Sequence, residues 1–435
     1  MVKPEKVDNS YAAELDKPDY ARLRSLKTTI AMPPDNTPAT ANARALARIA
    51  ACEPRWVAVR TAREAVDLPD RTLLHCGPPL ADARLPPPPM RNAAVLACLH
   101  EGWAGDAAAA ERQIATGEVR LEPGYGWRVS TPLVALVSAG TPLVVIESGA
   151  AASAVRWHAF LGTGGGAQMR FGARDHAILE RLAFRDRELV PGLIELLGPG
   201  PVDLLSISRC ALTEGDDLHN RLSSATQILH AVLSTRKAES PAAQAALATV
   251  LAAPLYFLNL WMPACALMLD AATDVTGSTI VTSMTANGET TGVRIAGLTG
   301  RCFTAPANLV RGPFVKGAPE RPQYPPATGD SGIIDAFGLG GQVLSRAPSL
   351  LAAFEPWLAP DDGARAQGML AGLHSVLGVA FGIDAAIVAA TGRTPLLSTG
   401  MVSADGRGLL GRGVCEMPLA PFVEAVRDLK LEVAK

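Results

Sequence analysis

The sequence predicts a multidomain protein of mixed α/β (α+β) class, with a mainly helical subdomain and a β-hairpin in its C-terminal α/β part. Short β-branched runs alternate with a helical stretch over residues 56–74, which is typical of an α/β unit. Residues 175–236 have the apolar spacing of helices, and the pattern changes to a period of two around Asn287-Gly288. A chain of 435 residues is also longer than one ordinary domain.

The N-terminal half divides into three predicted parts. Residues 1–40 are expected to form a flexible arm, because they are polar and end in a proline-rich stretch. Residues 41–110 are predicted to be an α/β domain, with helices at 41–51, 61–66 and 92–103 and strands at 56–59 and 72–74. Residues 111–174 are predicted to be a middle α/β segment, with apolar strands at 134–137 and 142–147 and a glycine turn at 162–166.

The C-terminal half divides into two predicted parts. Residues 175–245 are expected to form the helical subdomain, broken by proline and glycine near 191, 199–201 and 215. Residues 246–435 are expected to form a C-terminal α/β domain. It contains the hairpin at 278–297 and further helices near 364–382 and 419–433.

Composition narrows the possible functions. The net charge is -2 and aromatic residues make up 5%, so the chain lacks both a basic field and stacking platforms for nucleic acid. Only eight of the 40 basic residues are lysines, and none lies between Lys27 and Lys237. No Gly-Lys-Ser/Thr phosphate loop is present. An anionic substrate must therefore be held by arginine, by backbone N–H groups or by helix N-termini.

The seven cysteines and the apolar stretch at 245–269 help to predict the cellular compartment of the protein. An odd cysteine count without a C-x-x-C argues against a disulfide framework and a zinc site. Residues 245–269 are long enough for a membrane span, but Pro254, Asn259 and Pro263 interrupt them. We interpret them as buried helices, and the polar N-terminus does not resemble a signal peptide. The sequence thus favours a cytoplasmic protein without membrane contact.

The densest polar cluster is Gly215-Asp216-Asp217-Leu218-His219-Asn220-Arg221. We predict that it opens a helix, because apolar residues recur at helical spacing from 218 to 232. His219 is a candidate general base, and Asp217 and Asn220 are candidate catalytic neighbours. We expect Asp217 to hydrogen-bond the imidazole, which would fix its tautomer and raise its basicity. Arg221 is a candidate anion ligand, and at least two of Arg170, Arg221, Arg294 and Arg301 are expected to converge on one pocket with His219. The alternative is that the aspartates only cap the helix and that His219 only braces its start.

The hairpin and two glycine loops supply the remaining candidates for substrate binding. Hydroxyl groups lie on one strand face and arginines follow, which suits a small oxyanion but is also typical of an ordinary antiparallel sheet. Glycine loops let backbone N–H groups approach an anion, although most are only turns. Neither loop has the dinucleotide fingerprint, so we predict no cofactor and no metal. The candidates are Arg170, Ser278, Thr279, Asn287, Arg294, Arg301, Asp330 and Ser331.

These segments together resemble the AllG/YlbE-like family, which includes a subunit of oxamate carbamoyltransferase. The similarity runs in order from about residue 40 to 420. The segments that carry it are Leu74–Pro79, His100–Ala104, Arg170–Gly172, Gly215–Arg221, Phe257–Leu260, Gly277–Gly288, Arg294–Pro306, Gly329–Ser331, Gly382–Asp384 and Thr399-Gly400.

The resemblance implies a multidomain α/β protein with an inserted helical domain. It implies transfer of a carbamoyl group between phosphate and oxamate, hence small anionic substrates such as carbamoyl phosphate. It also implies a complex with an FdrA-like partner subunit, and we further expect a homo-oligomer. Such a reaction needs arginine for phosphate and carboxylate, and a base for the amide.

The chain departs from the family pattern where that pattern is polar. The departures fall at 124–127, 162–167, Ser403 and Leu409, and also at Asp217 and Leu222, whereas the rest of the segment at 215–221 is retained. Two hypotheses therefore stay open. One is an active carbamoyltransferase-like subunit. The other is a non-catalytic or repurposed paralogue that binds a ligand or partner, or that transfers an acyl or carbamoyl group to another acceptor.

Overall fold

The computed structural model describes residues 38–149 and 154–434, so the predicted arm lies almost entirely outside the described residues. The helices of the described part are separated by turns, loops and strands. In chain order they are α1 Pro38–Ala50, α2 Ala62–Val66, α3 Pro88–His100, α4 Ala107–Thr116, α5 His176–Phe184, α6 Val190–Leu197, α7 Leu204–Thr213, α8 Ser223–Ser234, α9 Pro241–Leu251, α10 Leu258–Asp270, α11 Gly332–Phe337, α12 Pro348–Phe354, α13 Ala385–Thr391 and α14 Ala420–Val433.

The strands of the described part form one larger sheet and several small ones. In chain order they are β1 Arg55–Thr61, β2 Thr72–His75, β3 Arg120–Pro123, β4 Val129–Ser130, β5 Pro142–Ser148, β6 Val155–Phe160, β7 Val202–Asp203, β8 Val281–Asn287, β9 Thr290–Ile295, β10 Phe303–Pro306, β11 Thr328–Gly329, β12 Leu370–His374, β13 Val379–Ile383, β14 Leu396–Val402 and β15 Leu409–Glu416. Helices and several sheets in one chain confirm the predicted mixed α/β class.

A five-stranded sheet has the order β4-β6-β5-β1-β7. β5 pairs antiparallel with both β1 and β6, and the short β4 pairs parallel with β6. β5 is apolar from Pro142 to Ile146 and is buried from Pro142 to Glu147, because helices cover the sheet. α10 packs against β5 and β6, so one face of this sheet lies against a helix that is buried from Leu258 to Leu269.

The apolar stretch at 245–269 falls in two helices, and the second of them is buried as predicted. α9, by contrast, exposes Ala248 and Leu251. Every residue of α10 from Leu258 to Leu269 is buried. A helix that is apolar all round must be covered on all sides, which here the surrounding elements provide. Pro254 lies between α9 and α10, and Pro263 lies within α10. Within the described residues, no helix is long and apolar enough to cross a membrane.

The predicted hairpin is also confirmed. β8 and β9 pair antiparallel in a sheet of order β10-β9-β8-β11, and the chain turns at Asn287-Gly288. The Asn287 side chain accepts hydrogen bonds from the backbone N–H groups of Glu289 (2.9 Å) and Thr290 (2.8 Å). Gly288 has φ of 91°, which a residue with a Cβ rarely adopts. The turn is thus fixed by local side-chain and backbone chemistry.

The segment predicted to be mainly helical consists of α5 to α9 with a short π-helical turn at Arg185–Leu189. The apolar faces of α6 to α9 share one core with the large sheet, whereas Ile178 and Leu182 of α5 lie in a second core with α3 and α4. The helical character of 175–245 is therefore confirmed. The domain boundaries themselves remain predictions.

Two predicted elements are wrong. Residues 134–137 are not a strand, because Leu133 has φ of 51° and only Val137 forms an isolated bridge, to Leu74. Residues 364–382 are not a helix but contain the antiparallel pair β12 and β13. Gly378, with φ of 65°, turns the chain between these strands. In both places apolar content alone could not distinguish helix, strand and buried turn.

Candidate functional site

A cleft opens around Pro254 and Leu255, in the connection between α9 and α10. It consists of three adjoining cavities that share lining residues. The central cavity, about 90 Å³, is lined by His219, Arg170, Ser331 and Arg412 among others. On one side a cavity of about 150 Å³ reaches the glycine turn at 162–165, and on the other a cavity of about 300 Å³ reaches Arg221.

The polar segment at 215–222 is a loop that precedes a helix, which corrects the prediction that it opens one. Leu218 has φ of 60°, which interrupts helical geometry, and α8 begins only at Ser223. Asp216 accepts hydrogen bonds from the N–H groups of Ser224 (3.4 Å) and Ala225 (2.9 Å), so it caps α8 from outside the helix. Burial raises the pKa of Asp216 to about 6.

Asp217 holds the same loop in shape. Its carboxylate accepts hydrogen bonds from the N–H groups of His219 (3.1 Å) and Arg221 (2.7 Å) and from the Asn220 amide (3.0 Å). In the described part of the chain, the expected hydrogen bond between the Asp217 carboxylate and the imidazole of His219 is not formed. Burial raises the pKa of Asp217, against the lowering effect of these hydrogen bonds. Asp217 therefore positions the backbone that carries His219.

The imidazole of His219 contacts Asp335 instead. Its Nδ1 lies 2.9 Å from Oδ2 of Asp335, and both side chains are buried. Asp335 is itself fixed, because it accepts hydrogen bonds from the N–H groups of Gly341 (2.8 Å) and Ser398 (3.0 Å). With Nδ1 facing Asp335, Nε2 is the ring nitrogen left for the cleft that His219 lines.

The charges around His219 determine its basicity. Burial acts to lower the pKa of His219, but the negative charges of Asp335 and Asp217 and the contact with Asp335 outweigh it. The pKa is therefore raised from its usual value. Nδ1 and the Asp335 carboxylate are close, but they lack the alignment of a hydrogen bond, so their interaction is electrostatic. An imidazole whose Nδ1 faces a fixed carboxylate leaves Nε2 as the nitrogen that can accept a proton, as in a general base.

Close packing of a glycine loop makes the contact between His219 and Asp335 possible. Gly340 has φ of 56°, and a Cβ there would lie 2.6 Å from Oδ1 of Asp335 and 2.9 Å from Cβ of His219. This packing requires a glycine at position 340. Sequence analysis missed Asp335, although an acidic residue in the apolar run Ile333-Ile334-Asp335-Ala336-Phe337 was a usable signal.

Arg170 supplies a positive charge without a carboxylate partner. No Asp or Glu of the described chain lies within ion-pair distance of it, and its buried Nε has no hydrogen-bond partner. Its guanidinium lies over the Phe171 ring, 4.9 Å from the centroid. Burial lowers the pKa of Arg170 to about 10. An unpaired, desolvated guanidinium facing a cleft is costly, and it is typical of a site that binds an anion.

Arg412 also lines the central cavity with His219 and was missed by sequence analysis. It lies on β15, and its Nη1 donates a hydrogen bond to the Asn220 carbonyl. Arg221 reaches the neighbouring cavity, where its Nε lies 3.6 Å from Asp216 and its Nη1 donates to the Glu214 carbonyl (3.0 Å). The central cavity thus has two guanidinium groups and one imidazole in its wall.

The structure separates the other predicted residues from the cleft, apart from Ser331, which lines it. Ser278 and Thr279 are buried and bond to Asn42 (2.9 and 2.8 Å). Asn287 donates to the carbonyls of Pro78 (3.0 Å) and Pro79 (3.3 Å).

Asp330 joins distant segments rather than facing the cleft. It accepts hydrogen bonds from the N–H groups of Gly77 and Thr131, each 2.8 Å long. Burial raises the pKa of Asp330 to about 7. These four side chains, Ser278, Thr279, Asn287 and Asp330, thus hold neighbouring segments together.

Arg294 and Arg301 line a separate cavity with Tyr125. The expectation that they join His219 is therefore corrected, because only Arg170 of the four predicted arginines lines the same cavity as His219. The hydroxyls and arginines of the hairpin alternate because the hairpin is part of an ordinary antiparallel sheet. The faces of this sheet do not line the cleft. Over residues 38–149 and 154–434, no cluster of three or more His, Cys, Asp or Glu is arranged to hold a metal.

Comparison with known proteins gives matches that span most of the chain. A family model described as oxamate carbamoyltransferase subunit AllG matches residues 119–331. The chain is 32% identical to the oxamate carbamoyltransferase subunit AllG of Escherichia coli (strain K12) over 411 residues, 90% of this chain and 97% of that protein.

Two further matches have no described activity. The chain is 28% identical to the uncharacterized protein YahG of Escherichia coli (strain K12), over 89% of this chain and 85% of that protein. A crystal structure of a conserved protein of unknown function from Enterococcus faecalis V583 superimposes with a TM-score of 0.80 at 26% identity, covering 90% of this chain and 97% of that one.

Proposed function

Because the chain belongs to the family of the oxamate carbamoyltransferase subunit AllG, we propose that its cleft transfers a carbamoyl group between phosphate and a small carboxylate such as oxamate. One observation carries the proposal. An imidazole held by a buried carboxylate lines a cleft together with arginines that lack carboxylate partners. Both substrates of such a transfer are anions, and the amide nucleophile needs a base.

The reaction can be written with the residues of this cleft. The amide nitrogen of the acceptor attacks the carbonyl carbon of carbamoyl phosphate, so that a C–N bond forms while the bond from carbon to the phosphate oxygen breaks. The proton of the amide passes to Nε2 of His219, and phosphate leaves with the bonding electron pair. In the reverse direction phosphate attacks, and protonated His219 returns the proton to the leaving amide.

The remaining groups bind and orient. Arg170, beside the glycine turn at 162–165, is placed to hold the phosphate, since backbone N–H groups of a glycine turn add donors for oxyanions. Arg412 is placed to hold the carboxylate of the acceptor. Asp335 keeps the proton of His219 on Nδ1 and stabilises the imidazolium that forms. Asp217, Asn220 and Arg221 set the loop that carries His219.

We further propose that the chain works in the cytoplasm as part of a complex. The E. coli relative is named a subunit, and the family resemblance implies an FdrA-like partner. A homo-oligomer is our separate expectation. Size-exclusion chromatography with light scattering, on this chain alone and after co-expression with an FdrA-like protein, tests both associations. A monomer that retains no co-expressed partner would contradict them.

A second candidate function is a repurposed paralogue with another acceptor. Leu409 lines the central cavity together with Arg170 and His219, at one of the positions where the chain departs from the polar family pattern. An apolar wall there favours an acceptor with an apolar group, or a ligand that is bound without transfer.

An acceptor series distinguishes the two functions. We propose to measure phosphate release from carbamoyl phosphate by the chain with its co-expressed partner, using oxamate and then carboxylates or amides of increasing apolar size. Release with oxamate that is lost in Arg170→Gln supports the first function, and release only with apolar acceptors supports the second. No release with any acceptor, although carbamoyl phosphate binds, would leave a non-catalytic ligand-binding subunit.

A further inference from the structure

A separate cavity of about 410 Å³ contains the hairpin arginines that the cleft does not use. It exceeds each of the three cavities that form the cleft. Tyr125 and Trp157 line it and contact each other edge to face, with ring centroids 5.1 Å apart. The lining also contains Arg128, Arg294 and Arg301, so this cavity is rich in guanidinium groups.

Two of these arginines already have acidic partners. Arg128 lies 3.2 Å from Asp270, and Arg301 forms an ion pair with Asp428. The acidic side chains that line the cavity also accept hydrogen bonds. Asp270 accepts a hydrogen bond from Nε1 of Trp157 (3.1 Å), and Asp274 accepts one from the Thr299 hydroxyl. The two arginine–aspartate pairs are therefore neutral, whereas Asp274 keeps a negative charge that is hydrogen-bonded to a hydroxyl.

Arg294 is the exception. Within the described residues it has no carboxylate at ion-pair distance, and its Nη1 donates only to the Arg301 carbonyl (3.3 Å). Its guanidinium lies over the Tyr125 ring, 4.4 Å from the centroid. A guanidinium stacked on an aromatic ring keeps its in-plane N–H groups for a planar oxyanion. Arg294 thus presents an uncompensated, oriented donor to the cavity.

This cavity is too far from the cleft to be a part of it. α10 runs from one to the other, since Leu258 lines the central cavity and Asp270 lines this one. Twelve residues of helix span about 18 Å. A single carbamoyl-sized substrate cannot reach both ends.

We infer that this cavity is a second oxyanion site, which binds a small carboxylate or phosphate through the in-plane N–H groups of Arg294, beside the aromatic wall of Tyr125 and Trp157. The inference does not rest on the proposed function, because it uses none of the residues of the cleft. α10 connects the two sites, so an anion bound at Arg294 lies at the far end of the helix that lines the cleft.

Binding stoichiometry tests the inference. We propose calorimetric titrations of the full chain with inorganic phosphate and, separately, with malonate. The wild-type chain is expected to bind two equivalents of at least one probe. Arg294→Gln should lose one of them or bind it at least about tenfold more weakly, while Arg170→Gln loses the other. The probe that needs Arg294 shows whether the site takes a phosphate or a carboxylate.

Two further variants serve as controls. Arg156→Gln removes an exposed arginine of the same strand as Trp157, paired with Glu147 outside the cavity, and should keep both equivalents. Arg294→Lys keeps the charge without the planar donor and should bind weakly. If Arg294→Gln is unstable, Arg294→Lys still tests the site.

The inference is overturned if Arg294→Gln binds both probes like the wild-type chain. It is equally overturned if the wild-type chain binds no probe, or only one equivalent that needs Arg170. If the wild-type chain binds only the equivalent that needs Arg294, and Arg170→Gln changes nothing, the proposed function loses support while this site stands.

Discussion

At the scale of single residues, the pairing of His219 with Asp335 could not be derived from sequence, because 116 positions separate the two side chains. Sequence did identify His219 and Asp217, since polar residues were dense there. It assigned the imidazole partner to the nearest carboxylate. The folded chain uses Asp217 for the backbone and a distant aspartate for the ring. Local sequence shows which residues are unusual, whereas only tertiary structure shows which of them meet.

Arg170 is expected to bind phosphate at a cost to the stability of the folded chain. Its buried Nε lacks a partner, so replacing it removes a cost of desolvation. Arg170→Met is expected to leave the free energy of unfolding unchanged or to raise it by up to about 1 kcal/mol. The same change should weaken phosphate binding at least about tenfold. Denaturant unfolding with and without phosphate measures both, and a large loss of stability in the absence of anion would show that Arg170 is structural.

Asp330 should make stability depend on pH. Its pKa is about 7 in the folded chain, above the usual value of 3.8, because it is buried. The folded state therefore binds a proton more tightly than the unfolded state. The stabilisation of the folded state that results is fully present below about pH 4 and is lost as the pH rises through 7. It amounts to a few kcal/mol, about 1.4 for each unit of difference between the folded and unfolded pKa.

Asp330→Asn cannot ionise, so its unfolding free energy should fall less between pH 4 and 7 than that of the wild-type chain. Its absolute stability should be lower at pH 5 by about 1–3 kcal/mol, since the amide NH₂ faces one of the two backbone donors. Urea unfolding at several pH values checks this. An identical pH slope in both proteins would show that Asp330 is ionised throughout.

At the scale of elements, local chemistry decided which predictions succeeded. The Asn-Gly turn, the helices at 245–269 and the helical run at 175–245 follow from patterns within a few residues. The loop at 215–222 was predicted as a helix start because its apolar spacing continued that of α8. Its positive φ at Leu218 depends on hydrogen bonds to Asp216 and Asp217 that the spacing does not reveal.

The glycine loop after α11 should be intolerant of a side chain. Gly340→Ala places a Cβ 2.6 Å from Asp335 and 2.9 Å from His219, so the two side chains must separate. We expect loss of carbamoyl transfer together with a loss of stability of about 1–3 kcal/mol. Gly368→Ala is the matched control, since Gly368 has φ of 83° but no atom within 4 Å of a Cβ. It should cost only about 1 kcal/mol of backbone strain, with activity per folded molecule retained. Equal activity in both variants would contradict the role of the loop.

At the scale of the whole molecule, the fold brings three distant parts of the chain to one cleft. The loop before α8 provides His219, the turn before α5 provides Arg170, and β15 provides Arg412. The class of fold was predictable because it follows from the order of local patterns. The residues that line the cleft could be predicted only in part, since the sequence around Arg412 is that of an ordinary strand. The hairpin residues Arg294 and Arg301 were assigned to the wrong cavity for the same reason.

The central claim, that His219 is a base positioned by Asp335, is tested most directly by the pH profile of kcat/KM for carbamoyl transfer. His219→Gln should lower transfer by about 10²–10⁴-fold with an unchanged melting temperature. In Asp335→Asn the rise of activity with pH should shift to lower pH, because Asp335 raises the pKa of His219. Asp384→Asn, which changes an aspartate bonded to Thr279 and Asn42, should leave the profile in place. Wild-type transfer in His219→Gln, or an unshifted profile in Asp335→Asn, would contradict the account.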